Sequence, residues 1–172
     1  QQLEKQLILS LLECKEASIY DLAQEYYVSE STIYGLIKRI MPKFHSFSLS
    51  LQRHGEWLSC QGKETDKRRM LSHFFFAEAN SLATTLVNFD DYFSPFSLAE
   101  LAQMIHQTLE ELNVQIDDIY IKNIIICIAV CVQRMLNGYP SDRSEAEENK
   151  LILSCSPRLT RFVDSVCGQL ES

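Results

Sequence analysis

Two apolar stripes separated by a very short break constrain this chain more than any other feature. Ile19, Leu22 and Ala23 form the face of a short helix that opens at Ser18, a good N-cap. Asp21, three positions on, stands where a capping box usually has glutamate, and the helix ends near Tyr27. Val28 sits in a tight turn, and either Ser29 or Ser31 caps the next helix. That helix carries Ile33, Leu36, Ile37 and Ile40, and Pro42 is expected to stop it at about Met41. Leu3, Leu7, Ile8, Leu11 and Leu12 mark an earlier amphipathic helix over residues 3–13. Helix, short helix, three-residue turn and longer helix is the plan of a helix-turn-helix over residues 18–41.

After Pro42 the period changes. Phe47, Leu49 and Leu51 alternate with Ser48, Ser50 and Gln52, the pattern of a strand with one wet face. Arg53-His54-Gly55 makes the turn, and Trp57 and Leu58 lie on a return strand that closes at Gly62. A hairpin directly after such a helix is a wing, so residues 1–62 read as a winged helix-turn-helix. Trp57 is expected as a core aromatic beneath that wing.

The remainder reads as all helical. A helix over residues 63–88 begins with Lys63, Lys67, Arg68 and Arg69 and is apolar around Leu71 and Phe74-Phe75-Phe76. A loop follows from Asn88 to Pro95. Ser97 caps a helix through Leu112, with Leu98, Leu101, Ile105, Leu109 and Leu112 on one face. Ile119 to Leu136 is a central helix that contains nine consecutive apolar residues, too few for a bilayer, and Asn137-Gly138 ends it. Residues 139–150 are a polar loop, and Leu159, Phe162, Val163, Val166 and Leu170 mark a last amphipathic helix. The expected fold class is mainly α: a winged helix-turn-helix at 1–62, a linker helix at 63–92 and a helical bundle at 93–172.

Charge divides the chain in the same way. The net charge is −7, but residues 1–70 hold ten Lys or Arg against nine Asp or Glu, while residues 71–172 hold six against fourteen. Such asymmetry points to two parts with different tasks, and +1 is a weak attraction for phosphate. Six widely spaced cysteines without a CxxC pair read as free thiols of a cytoplasmic protein rather than as a zinc site. No metal or cofactor is expected. The N-terminus lacks signal-peptide character, and with no initiating methionine the chain is expected to be a fragment of a longer protein. His45, His73 and His106 have no partner at a suggestive spacing. Glu110-Glu111 and Asp117-Asp118 are adjacent pairs that diverge, and no glycine-rich phosphate loop is present, so no enzyme is expected.

Val28-Ser29-Glu30-Ser31-Thr32-Ile33 resembles the turn of bacterial winged helix-turn-helix regulators. Gly62-Lys63-Glu64 with Lys67-Arg68-Arg69 is similar to the linker of the Mga-like and BglG-like branch. Ile128-Ala129-Val130 through Gln133-Arg134-Met135-Leu136-Asn137-Gly138 is similar to the central helix of that branch's PTS regulation domain (PRD). The resemblance implies an activator of a sugar operon, controlled by the phosphotransferase proteins HPr and enzyme II, cytoplasmic and homodimeric. It also implies a phosphate-accepting histidine seven residues before Arg134, where this chain has Cys127 after Ile126. A PRD with that departure serves dimerisation or partner binding rather than phosphorylation at the position.

Candidates for contact with double-stranded DNA are Ser29, Ser31, Thr32, Tyr34, Lys38 and Arg39 on the helix, with Arg53 and His54 at the wing tip. The alternative for the hydroxyls is plain helix capping, and for the wing an ordinary exposed turn. Lys67, Arg68 and Arg69 either add phosphate contacts or form a solvated face. Glu30 meets phosphate with the wrong sign. The alternative function is a dimerisation or interaction module with a vestigial helix-turn-helix.

Overall fold

The computed structural model describes residues 2–81, 89–144, 146–147, 150, 154 and 156–170. The end of the helix expected at 63–88, part of the 139–150 loop and Cys155 lie outside the described residues. The chain divides into two compact units, Gln1–Leu71 and Ser72–Ser172. It is mainly α, with a winged helix-turn-helix followed by a helical region.

In the first unit the order is α1 (Gln2–Glu13), β1 (Ala17–Ser18), α2 (Ile19–Glu25), α3 (Glu30–Ser46), β2 (Ser50–His54) and β3 (Trp57–Gln61). The helix α4 (Glu64–Ser81) begins here. The core is built from the stripes the sequence displays: Leu7, Leu11 and Leu12 of α1, Ile19 and Leu22 of α2, and Ile33, Leu36, Ile40 and Phe44 of α3. Each fully buried Leu or Ile contributes about 1.5–3 kcal/mol, which is why such short helices hold.

Pro42 does not stop α3, which continues through it to Ser46. A proline inside a helix loses one backbone hydrogen bond and crowds the carbonyl four residues back, here that of Lys38. Lys38 and Pro42 both lie on the exposed side, while Ile40 and Phe44 are fully buried on the other side. Their burial overrides the local preference. The expected strand consequently starts late: Phe47 caps α3, Ser48 takes a positive φ of 60°, and Leu49 is buried by bonding its N–H to the Phe44 carbonyl.

The wing has three strands rather than two, in the order β1-β3-β2, all antiparallel. Ala17 pairs with Leu58 and Ser18 with Trp57, so two residues before α2 tie the helix-turn-helix to the wing. His54 faces Trp57, which places the turn at Gly55-Glu56 rather than at Arg53-His54-Gly55, with Gly55 at φ 64°. Trp57 is not a core residue; it is 51% exposed, on the strand face that meets solvent. Gly62 ends the wing at φ 138°, where an added Cβ would lie 2.5 Å from Leu49 Cδ2.

The second unit holds the rest of α4, then α5 (Asp90–Phe93), α6 (Leu98–Glu111), α7 (Asp118–Leu136) and α8 (Pro157–Leu170, the last helix). Phe75 is the hub of an aromatic cluster with Phe89, Tyr92 and Phe93, ring centroids 4.5–5.4 Å apart. Helix α6 packs on α7 and α8. By length and composition α7 is apolar enough to cross a bilayer, with mean hydropathy 1.7. In the bundle it buries Ile121, Ile125, Ile126, Ala129 and Val130. It stops as expected: Gly138 at φ 79° donates to Met135, and Tyr139 donates to Arg134, a Schellman ending.

Replacing Gly62 by Ala combines a positive φ with a steric clash and should cost about 2 kcal/mol or more. Pro42→Ala should instead stabilise by about 1–3 kcal/mol, by restoring a helical bond. Urea unfolding of both variants checks the two signs.

Candidate nucleic-acid interface

The helix-turn-helix is held by its caps. Ser18 Oγ accepts from the Asp21 N–H at 3.2 Å, and Ser29 Oγ accepts from the Thr32 N–H at 3.2 Å. Ser29, not Ser31, is therefore the cap of α3. Ser31 Oγ and Thr32 Oγ1 lie 2.7 and 2.9 Å from Ser29 Oγ, making a cluster of three exposed hydroxyls at the start of the helix. These groups cap and remain exposed together, so capping does not exclude contact with a ligand.

Opposite the buried stripe of α3, the solvent-facing stripe is Ser31, Gly35, Lys38 and Pro42, all exposed. Lys38 forms no ion pair among the described residues. Arg39 and Lys43 are different. Arg39 Nε and Lys43 Nζ each lie 3.3 Å from the carboxylate of Glu4 on α1. The hydrogen bond from Lys43, aided by the charges of Lys43 and Arg39, holds the Glu4 carboxyl below the usual glutamate range. The stabilisation from this contact is present above the ordinary glutamate pKa and is lost as pH falls through the lowered value. Both cations stay more than half exposed, so the pairing is weak and exchangeable.

The sequence does not disclose Glu4 as their partner, because the three residues meet only once α1 and α3 have packed. Glu30 occupies the first turn of α3, where a carboxylate complements the helix dipole. Its acidity has a folding reason even though it weakens the field toward phosphate.

On the wing, the Arg53 guanidinium lies 4.7 Å from the centroid of the Tyr34 ring, and its Nε donates to the Gly55 carbonyl at 2.6 Å. Arg53 is thereby folded against α3 instead of extending from the wing tip. Half-buried Tyr34 joins helix to wing, and the two residues act as one positioned cation beside the exposed stripe. His54 is exposed on β2. Arg68 pairs with Glu64 at 3.2 Å with both side chains largely buried, which corrects the solvated face expected there, while more exposed Arg69 pairs with Asp66 at 3.0 Å and lies 5.6 Å from the centroid of the Phe47 ring.

At the approach to α3, Tyr20, Gln24, Tyr27, Ser29 and Glu30 line one open hollow. Tyr27 has a φ of 54° and a side chain 96% exposed. Sequence patterning misses it, because periodicity reports only what is buried.

The two residues singled out on α7 are not alike. Arg134 is buried, 2% exposed, with its guanidinium 3.9 Å from the Tyr139 ring centroid. Cys127 is exposed as a residue, yet partial burial of its sulfur pushes the thiol up, and the thiol points to Asn123 Oδ1 at 3.6 Å. A thiol so held is protonated and a poor nucleophile. The two positions are about 10 Å apart along the helix axis and form no common site.

No curated protein matches the chain. Residues 1–76 match the family model of the Mga helix-turn-helix domain. That stretch contains α1, the capped α2–α3 pair, the wing and the start of α4. The N-terminal part of the chain is thus similar to the helix-turn-helix of Mga-like regulators, a DNA-binding and regulatory module.

Proposed function

We propose that the chain is a transcription regulator that reads double-stranded DNA with α3 and steadies it with the wing. The observation that carries this reading is the exposed stripe of α3, with Lys38, in no ion pair among the described residues, at its middle. The Ser29, Ser31 and Thr32 hydroxyls stand at one end of the helix and Tyr34-bound Arg53 beside it. Hydroxyls and helix amides suit phosphate and base edges, while Lys38, Arg39, Arg53 and His54 suit the backbone. Residues 1–62 are the reading domain, 63–92 the connection, and 93–172 the regulatory part. In the fuller reading that part is a PRD of a sugar-operon activator, which meets HPr or enzyme II and dimerises. With Cys127 in place of a histidine and its thiol held neutral, it takes no phosphate at that position, and buried Arg134 serves the fold.

A second reading is favoured by Glu4 and Glu30, which offset the cations of α3. In it the helix-turn-helix is vestigial and the chain is an interaction module.

The two readings separate by experiment. Binding of a randomised duplex pool should fall steeply with salt. The double variant Lys38→Ala, Arg39→Ala should weaken binding on every sequence and reduce the logarithmic salt slope by about 2. Equal binding by variant and wild type would sink the assignment of α3. Glu30→Gln should tighten binding, since it removes a like charge from the path of phosphate, with a small loss of helix stability. Incubation with phosphorylated HPr should leave the protein unlabelled, and a labelled histidine would overturn the Cys127 assignment.

A further inference from the structure

Two residues of the helix-turn-helix act against the stability of the fold that contains them. Gly35 lies in the interior of α3, on its exposed stripe. A glycine there lowers helix stability relative to alanine. Nothing among the described residues asks for it: its φ is not positive, and a Cβ built at the position meets none of their atoms within 4 Å.

Tyr27 is the second. It is the left-handed residue of a Schellman ending on α2, donating to the Gln24 carbonyl while Val28 donates to that of Ala23. The same ending uses Gly138 at α7 and Asn113 at α6, residue types that suit a positive φ, and the small Ser48 at α3; Tyr27 is the bulky exception among them. A tyrosine is strained there, and with a side chain 96% exposed it recovers nothing by packing. Local rules broken without internal compensation mark functional positions.

Both lie where a helix-turn-helix meets a duplex. The recognition helix enters the major groove while the preceding helix crosses the backbone. Tyr27 lines the hollow between those two helices, together with the cap Ser29.

We propose that Gly35 and Tyr27 are contact residues for duplex DNA: Gly35 lets a base edge approach the helix backbone, and Tyr27 donates its phenolic O–H to a phosphate. This inference rests on the DNA-binding reading above. At Gly35 the absent side chain leaves room for a group that projects from the groove floor, such as a thymine methyl. At Tyr27 the phenol supplies a neutral donor, which matters where Glu30 lowers the local potential.

The test sets stability against binding, with Gly35→Ala, Tyr27→Gly and Tyr27→Phe made in the full chain. Gly35→Ala and Tyr27→Gly should raise the melting temperature, and Tyr27→Phe should leave it unchanged. Probes are the tightest duplex that wild type selects from a randomised pool, and sheared mixed-sequence DNA. Gly35→Ala should weaken binding to the selected duplex about tenfold and leave binding to sheared DNA unchanged, the mark of a base contact. Both Tyr27 variants should weaken binding to both probes by about threefold to tenfold, the mark of a phosphate contact. A more stable Gly35→Ala that binds the selected duplex as wild type does would overturn the role of Gly35. A destabilised Gly35→Ala would do the same, because the fold would then require the glycine. Tyr27→Phe with wild-type affinity overturns the phenol contact. Wild type that binds neither probe defeats the DNA-binding reading itself, an outcome distinct from all of these.

Discussion

The buried stripe of α3 is the constraint on which the first unit depends. Ile33, Leu36, Ile40 and Phe44 are at most 2% exposed, and α1, α2 and the wing are arranged around this helix. Fixing one side of a helix fixes the other, because about 100° of rotation per residue leaves no freedom. Once those residues are buried, Ser31, Gly35, Lys38 and Pro42 must face outward. The surface offered to a ligand is thus a consequence of the core. The same packing explains how α3 passes through Pro42: anchors on either side of the proline hold the axis, and the proline itself lies on the exposed side.

Electrostatics modifies this surface without creating it. A first half with net charge near zero cannot rely on a broad positive field. What it offers are few positioned groups: exposed Lys38, Arg53 held on Tyr34, and Arg39 and Lys43 leaning toward Glu4. Cations pre-placed by weak pairs lose less side-chain freedom on meeting phosphate than cations loose in solvent, but they must first give up a carboxylate. If this surface reads DNA as proposed, modest affinity and a strong dependence on geometry follow. The proposed close approach at Gly35 and phenol donor at Tyr27 would matter more here than beneath a dense basic patch.

How far the structure is legible in the sequence depends on the range of the forces involved. Helices α2, α6 and α7 and the caps Ser18 and Ser97 are readable, because periodicity and caps are local, and the cap of α3 is readable to within Ser29 or Ser31. Pro42 misleads, since its cost is local while Ile40 and Phe44, which outweigh it, act through the core. The alternation from Phe47 resembles a strand for the same reason: Phe47 and Leu49 are the ending of a helix that a local rule would have closed earlier. Trp57 is expected inside by virtue of its size, but β1 and β3 place it at the surface. A two-residue strand such as Ala17–Ser18 has no period to detect. In the site, capping and charge pick out Ser29 and Lys38, whereas the Arg53–Tyr34 and Glu4–Arg39 contacts exist only after distant segments meet.

The helical unit illustrates how one residue pattern supports opposite roles. Nine consecutive apolar residues imply burial on every side, yet α7 leaves Cys127 exposed, and Met135 and Leu136 at its end are exposed as well. What is buried there is Arg134, a charge whose burial costs several kcal/mol unless the cation is held. It lies against the Tyr139 ring, and the Tyr139 N–H also closes the helix on the Arg134 carbonyl. Tyr139 therefore both terminates the backbone and sets its ring against the cation. The Schellman glycine that reverses the chain is what brings the ring over the guanidinium. Arginine, the Asn-Gly stop and the tyrosine after it thus form one physical unit. Their appearance together in the sequence has an explanation in folding that is independent of any phosphate at position 127.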